Sequence, residues 1–125
     1  MKESFEQLKQ IIAKLRAPGG CPWDAQQTYE TLLKCVREEA QEIEEAVTKN
    51  DILNLEEEVG DLLITLLMIS EIAEEKGDFT VKSVLKKASE KLVERHTWVF
   101  GEDKAATAEE ALELWKKNKA KKKQA

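Results

Sequence analysis

Four acidic residues set the chemistry that this chain could do. Glu39 and Glu42 stand three apart in Glu38-Glu39-Ala40-Gln41-Glu42, and Glu58 and Asp61 stand three apart in Glu58-Val59-Gly60-Asp61. Three residues along a helix is a rotation of roughly 300°, which leaves such a pair about 60° apart on one face, one turn on. Two such pairs on facing helices gather four carboxylates. That grouping suits a hard divalent cation. Magnesium takes oxygen ligands in octahedral geometry and keeps waters and substrate phosphates in its shell.

Where the acids point matters more than their number. At about 100° per residue, the apolar stripe of the helix carrying the first pair runs through Leu32, Cys35, Val36, Ala40, Ile43, Ala46 and Val47. Glu39 falls inside that arc and Glu42 at its edge, whereas Glu38, Glu44 and Glu45 point elsewhere. On the next helix the stripe is Ile52, Leu55, Val59, Leu62, Leu66 and Ile69, with Glu58 on its flank and Asp61 one step further out. An ionised carboxylate on a core-facing stripe is costly unless something pairs with it. No Lys or Arg lies at helical spacing on those arcs to serve. Acids at helical spacing are more often a solvated face; two inward-leaning pairs on successive helices favour a bound cation instead.

The elements that must position these acids are helices. A chain of 125 residues is long enough for one core and not two, so one domain is expected over residues 1–125. Charged residues at 36% and aromatics at 6% suit an all-α protein and argue against an all-β one. A formal net charge of -5 does not invite nucleic acid. Cys21 and Cys35 show no CxxC spacing, which fits a reducing cytoplasm and argues against structural zinc or a disulfide framework. The N-terminus has no apolar leader, and the longest apolar run, Leu62 to Ile69 with Thr65 inside it, is too short to span a bilayer. A soluble cytoplasmic protein with no membrane partner is the expectation.

The spacing predicts about five helices. The first runs from Ser4, a candidate cap, to Arg16, and stops at Ala17-Pro18-Gly19-Gly20. Cys21-Pro22-Trp23-Asp24 reads as a loop, with Asp24 as the cap of the next helix and Trp23 as either a lid over the core or an aromatic wall of a ligand site. The second helix covers about Tyr29 to Thr48, then Lys49-Asn50-Asp51 turns the chain into a third, about Ile52 to Lys76, closed by Gly77. Between Leu62 and Ile69 that third helix is apolar almost all round, the mark of burial on most sides, which for so small a domain calls for a partner subunit. Gly60 costs roughly 1 kcal/mol against Ala in a helix, and a close approach of another backbone or a ligand would explain it. A fourth helix opens at Asp78-Phe79-Thr80 and ends near His96, a loop covers Thr97 to Gly101, and Thr107 with Glu110 matches a capping box for a last helix through Trp115. The fold class is therefore an all-α helical bundle, completed by a partner in a dimer or tetramer.

The remaining charges leave two readings each. Lys91 and Arg95 share a helical face, either solvated with Glu90 and Glu94 or holding phosphate oxygens. His96 reads as structural. Trp115 is either core or a stacking surface for a base. Lys116, Lys117, Lys119, Lys121, Lys122 and Lys123 form a basic tail whose default is a solvated helix end, with phosphate binding the weaker alternative.

Taken together, the order Cys21-Pro22-Trp23-Asp24 with Gln27-Thr28, Glu38-Glu39-x-x-Glu42, Glu58-x-x-Asp61 and Arg95-His96-x-x-Val99-Phe100-Gly101 resembles the MazG-type nucleoside triphosphate pyrophosphohydrolases. The resemblance covers about Leu15 to Lys119, matches one domain of proteins that often carry two, and departs from the family's usual Arg-His-Pro-His-Val-Phe by having Thr97-Trp98 in the middle. The acid motif alone is shared with the wider all-α NTP pyrophosphatases. The resemblance implies magnesium-dependent hydrolysis of a nucleoside triphosphate to monophosphate and pyrophosphate by water attack on the α-phosphorus, in the service of nucleotide-pool sanitation. Manganese is the expected substitute ion. By position, Glu39, Glu42, Glu58 and Asp61 would hold the metal. Glu38 would steady that shell or a second metal and help to orient the water. Lys91, Arg95 and Trp115 would contact the nucleotide, with Trp23 a further candidate. The alternatives are a dUTP- or dCTP-restricted enzyme of the same superfamily and a non-catalytic helical interaction module.

Overall fold

The computed structural model describes residues 1–124, with side chains described as far as Lys121. Among the described residues the chain is all-α, with five long helices and two of a single turn. They are α1 (Lys2–Arg16), α2 (Pro22–Gln26), α3 (Tyr29–Thr48), α4 (Ile52–Lys76), α5 (Val81–Arg95), α6 (Thr97–Phe100) and α7 (Ala108–Gln124). They form two compact units, residues 1–81 and residues 82 onward.

The first unit is built on the α3–α4 hairpin, against which α1 packs. Its core is Ile12 of α1, Leu32 of α3, and Leu67, Met68 and Ile72 of α4, closed by Val81. On α4, Met68 and Ile72 stand four apart, the spacing at which a helix returns to one face, and Leu67 lies beside them. Local chemistry fixes the ends. Thr28 caps α3, and Thr28 and Thr31 exchange hydroxyl–amide bonds at 3.3 and 2.8 Å. Asp51 caps α4 through the Asn54 amide, and Gly77, at φ 77°, closes it in the left-handed conformation that glycine adopts without strain. The Tyr29 hydroxyl donates to Asp78 at 2.7 Å and Lys76 lies over the Tyr29 ring, tying the start of α3 to the end of α4. Asp78 as acceptor pushes the Tyr29 phenol up to about 12.

Several sequence expectations are corrected. Helix α1 starts at Lys2, and Met1, not Ser4, occupies its capping position without a side-chain bond. The Cys21–Asp24 stretch is not a loop: Pro22 sits at the first position of α2, where its missing N–H costs nothing, and Asp24 lies inside that turn while Thr28 caps α3. Trp23 is 59% exposed and is not a lid over the core. Thr97 to Phe100 is also helical, and α5 begins at Val81 rather than Asp78. The apolar stretch of α4 from Leu62 to Ile69 is not among the corrections: Leu63, Ile64 and Leu66 are 39–46% exposed in the single chain, as a face left for a partner would be. A side chain added at Gly60 would meet nothing within 4 Å, so no close approach within this chain explains that glycine.

In the second unit, α6 and α7 pack together. Thr107 caps α7 through the Glu110 amide at 3.2 Å, while the Glu110 carboxylate reaches back one residue further than a standard box, to the Ala106 amide at 3.0 Å.

Candidate active site

The short turn between α3 and α4 sets the register of the acids. Asn50 takes a left-handed φ of 54°, which Asn tolerates better than other non-glycine residues, and the two helices run back antiparallel from it. Asn50 lies midway in sequence between Glu42 and Glu58, and again midway between Glu39 and Asp61. The hairpin therefore sets each acid of α3 opposite one of α4. One carboxylate oxygen from each of Glu39, Glu42, Glu58 and Asp61 lies within 4.8 Å of all the others. Among the described residues this is the one such cluster of metal-ligating groups.

The cluster is graded in burial. Glu58 is buried at 8% exposure, Glu39 and Asp61 are half-buried, and Glu42 is exposed. Glu39 Oε2 and Glu58 Oε2 are both shielded from solvent and have no hydrogen-bond donor among the described residues. The Glu42 carboxylate close against it, then burial, then Glu39, push Glu58 up to about 8. Burial raises Glu39 above the usual carboxylate range, the contact with Glu58 opposes this, and the charges of Glu42 and Asp61 add to the rise. Both shifts have the same meaning: four negative charges cannot all be held here without protons or a cation. The oxygen-only donor set, its spacing and its two orphaned oxygens fit a hard divalent ion.

The other sequence-predicted residues lie outside that cluster of four. Glu38 is exposed and pairs with Lys34 at 3.7 Å, one turn back on α3. Lys91 is exposed on α5. Arg95 and Trp115 do meet, in the second unit: the guanidinium lies 5.1 Å from the ring centroid, and Arg95 Nε is shielded from solvent with no acceptor among the described residues. The His96 ring lies against both Trp115 and Trp98, and its Nδ1 is 2.6 Å from the Leu92 carbonyl, so it has the structural surroundings expected of it. Lys116, Lys117, Lys119 and Lys121 are exposed, while the Lys122 and Lys123 side chains lie outside the described residues.

Two residues escaped sequence reasoning. Arg16 binds both Glu75 oxygens, at 2.7 and 3.1 Å, and donates to the carbonyls of Asp24 and Gln27, so that it holds α2 and the approach to α3. Asn118 bonds the Arg95 carbonyl and the Thr97 hydroxyl. Arg16 left no signal in local spacing. Asn118 left a faint one: it follows Trp115 by three residues, one turn along the same face of α7.

An all-α chain presenting a four-carboxylate cluster from one helical hairpin has the oxygen donor set of a divalent-metal site, and sequence comparison gives the class of protein that carries it. The MazG nucleotide pyrophosphohydrolase domain pattern matches residues 27–100, which include both acid pairs and Arg95. The chain belongs to that family. It is 38% identical over 98% of its length to the nucleoside triphosphate pyrophosphohydrolase/pyrophosphatase MazG of Thermotoga maritima. It is 34% identical over 92% of its length to the nucleoside triphosphate pyrophosphohydrolase of Escherichia coli K12. The chain spans only 49% and 44% of those two relatives. The crystal structure of a mazG-related protein from Thermotoga maritima superposes with a TM-score of 0.76 at 38% identity, covering 92% of this chain and 98% of that one.

Proposed function

We propose that this chain is a divalent-cation-dependent nucleoside triphosphate pyrophosphohydrolase, releasing the monophosphate and pyrophosphate. The observation that carries this reading is the convergence of Glu39, Glu42, Glu58 and Asp61, two of them with buried oxygens that no donor among the described residues satisfies. These four would hold the ion, magnesium by preference, with manganese able to replace it. When bound, the cation polarises phosphate oxygens and makes a coordinated water more acidic. Glu58 and Glu39 keep the donor set fixed from inside the hairpin, so the geometry needs no rearrangement during reaction. Glu38, exposed and next to Glu39, orients the attacking water toward the α-phosphorus. Lys91 and Arg95 oppose the charge on the leaving pyrophosphate, Lys as a point charge and Arg through its planar fork. Trp115 offers a ring on which a base stacks, and the exposed Trp23 is a second candidate ring. The whole chain works as one domain, and the activity named for its relatives supports the same reading.

A second copy covers the apolar face that α4 leaves open, giving a dimer or tetramer. Val59, Leu63 and Leu66 lie on one stripe of that helix and are 40–52% exposed.

Product analysis with a panel of ribo- and deoxynucleotides plus magnesium tests the reading. Monophosphate with intact pyrophosphate supports attack at the α-phosphorus, whereas diphosphate with free phosphate contradicts it. The same panel separates a broad enzyme from one restricted to dUTP or dCTP. Glu39→Gln keeps the shape and is expected to lose magnesium-dependent pyrophosphate release without unfolding; an active variant would remove Glu39 from the site.

A further inference from the structure

Helix α7 does two things to the junction between α5 and α6, and it does them from one face. Trp115 takes the side chains: the Arg95 guanidinium lies over its ring, and the His96 ring packs at 5.2 Å between centroids. Asn118, one turn on, takes the chain itself. Its amide Nδ2 donates to the Arg95 carbonyl at 3.1 Å and to the Thr97 hydroxyl at 3.0 Å, so the two bonds bracket His96. Asn118 is half-buried, and its partners lie 23 and 21 residues away in sequence.

That placement answers a need of the junction. Arg95 is the last residue of α5, where carbonyls lose their intrahelical partners. His96 leaves helical geometry at φ -101°, ψ 58°, and Thr97 begins α6 at once. A helix end that changes direction over one residue has soft dihedrals just where the Arg95 side chain starts. The Asn118 bond to the Arg95 carbonyl fixes that peptide plane, and the bond to Thr97 fixes the next element. The guanidinium is then set over Trp115, with its Nε shielded from solvent and without an acceptor among the described residues.

We infer that Asn118 is a positioning residue for Arg95, holding the guanidinium in the orientation in which it receives the triphosphate. The inference rests on the proposed function only in taking Arg95 as a phosphate-binding group. A side chain–backbone bond of this kind is worth on the order of a fewfold in an equilibrium constant. Asn118 touches no reacting atom, so its loss weakens substrate binding and leaves the chemical step alone.

The test is steady-state pyrophosphate release by the full chain with saturating magnesium, in the wild type, Asn118→Ala, Arg95→Ala and the double variant. Asn118→Ala is expected to raise KM about fivefold with kcat within about twofold. Added to Arg95→Ala, it is expected to change KM no further, because the group it positions is gone. Thr97→Val, which keeps the shape and removes the hydroxyl, is expected to raise KM about twofold and decides the matter if Asn118→Ala does not fold. An unchanged KM in both Asn118→Ala and Thr97→Val, beside a raised KM in Arg95→Ala, overturns the inference. So does a full additional loss in the double variant, which would make Asn118 an independent or merely structural contributor. An unchanged KM in Arg95→Ala alone overturns instead the reading of Arg95 as a phosphate ligand, and the inference with it.

Discussion

Glu39 on α3 and Glu58 on α4 face one another across the hairpin, each with an oxygen closed off from solvent and without a donor among the described residues. Without a cation, this pair is a source of strain rather than of stability. Glu58→Gln replaces a charge with a neutral group of the same shape whose amide donates to the neighbouring carboxylates. The metal-free variant is therefore expected to melt at a higher temperature than the wild type at pH 8. Magnesium is expected to raise the melting temperature of the wild type by binding the folded state, and to shift the variant less. Thermal melts of both proteins with and without magnesium check this; an equal magnesium shift in the two would take Glu58 out of the donor set.

The same pair sets a pH dependence. Glu58 is raised from near 4.5 to about 8 and Glu39 is raised as well, so the folded state binds more protons than the unfolded chain between those values. Where the folded state binds more protons, stability falls as pH rises. The contribution is fully present below the ordinary carboxylate value near 4.5 and is lost as pH climbs through about 8. Metal-free protein is expected to lose melting temperature across that window, and excess magnesium to flatten the decline by taking the protons' place. Melts at half-unit pH steps in chelator and in magnesium measure it, and a metal-free curve that rises over this window would contradict the cause assigned here.

The acid cluster could be read from the sequence because two local facts decide it. Three-residue spacing on each helix, and a turn at Asn50 midway between the pairs, fix which carboxylates meet. Gly77 as a helix stop and Thr107 as a cap were legible for the same reason, since their partners lie within four residues. What escaped is what depends on distance in the chain. Arg16 meets Glu75 at a separation of 59 residues, and Asn118 meets Arg95 at 23. No period or motif announces such a pairing. The one-turn helices α2 and α6 escaped because proline, glycine and aromatic residues there signal a break in regular structure and do not mark a single turn.

Arg16 is expected to matter for stability more than its place at the end of a helix suggests. Its side chain is 8% exposed, its fork spans both Glu75 oxygens, and its third nitrogen holds the carbonyls of Asp24 and Gln27. The Glu75 side chain is 44% exposed, so solvent screens part of the ion pair and the half-buried carbonyl bonds carry the larger share. Arg16→Ala is expected to cost about 2–3 kcal/mol, and Arg16→Lys to recover little, because a single ammonium cannot reproduce the fork. Denaturant melts of the three proteins measure both numbers. A loss under about 0.5 kcal/mol, the level of an ordinary surface change, would mean that α2 is held by other contacts.

Helix α4 carries its own test of assembly. Gly60 stands in a helix where a side chain would meet nothing within 4 Å, so within one chain Gly60→Ala removes only a helix-propensity cost and is expected to stabilise by about 1 kcal/mol. The apolar stripe beside it tells a different story for the associated protein. Val59, Leu63 and Leu66 are exposed at three- and four-residue spacing, the pattern by which a helix meets a partner. If a second copy seats against that stripe, a charge in its middle must be buried unpaired, and Leu66→Lys is expected to shift the protein from dimer or tetramer to monomer. Sedimentation velocity across a concentration series reads the shift directly. Gly60→Ala separates the two environments: a gain in stability in the monomeric Leu66→Lys background, with a smaller gain or a loss in the assembled protein, places Gly60 where two helices approach closely. Equal gains in both leave Gly60 facing solvent. A Leu66→Lys protein that sediments like the wild type would mean that this stripe is not where copies of the chain meet.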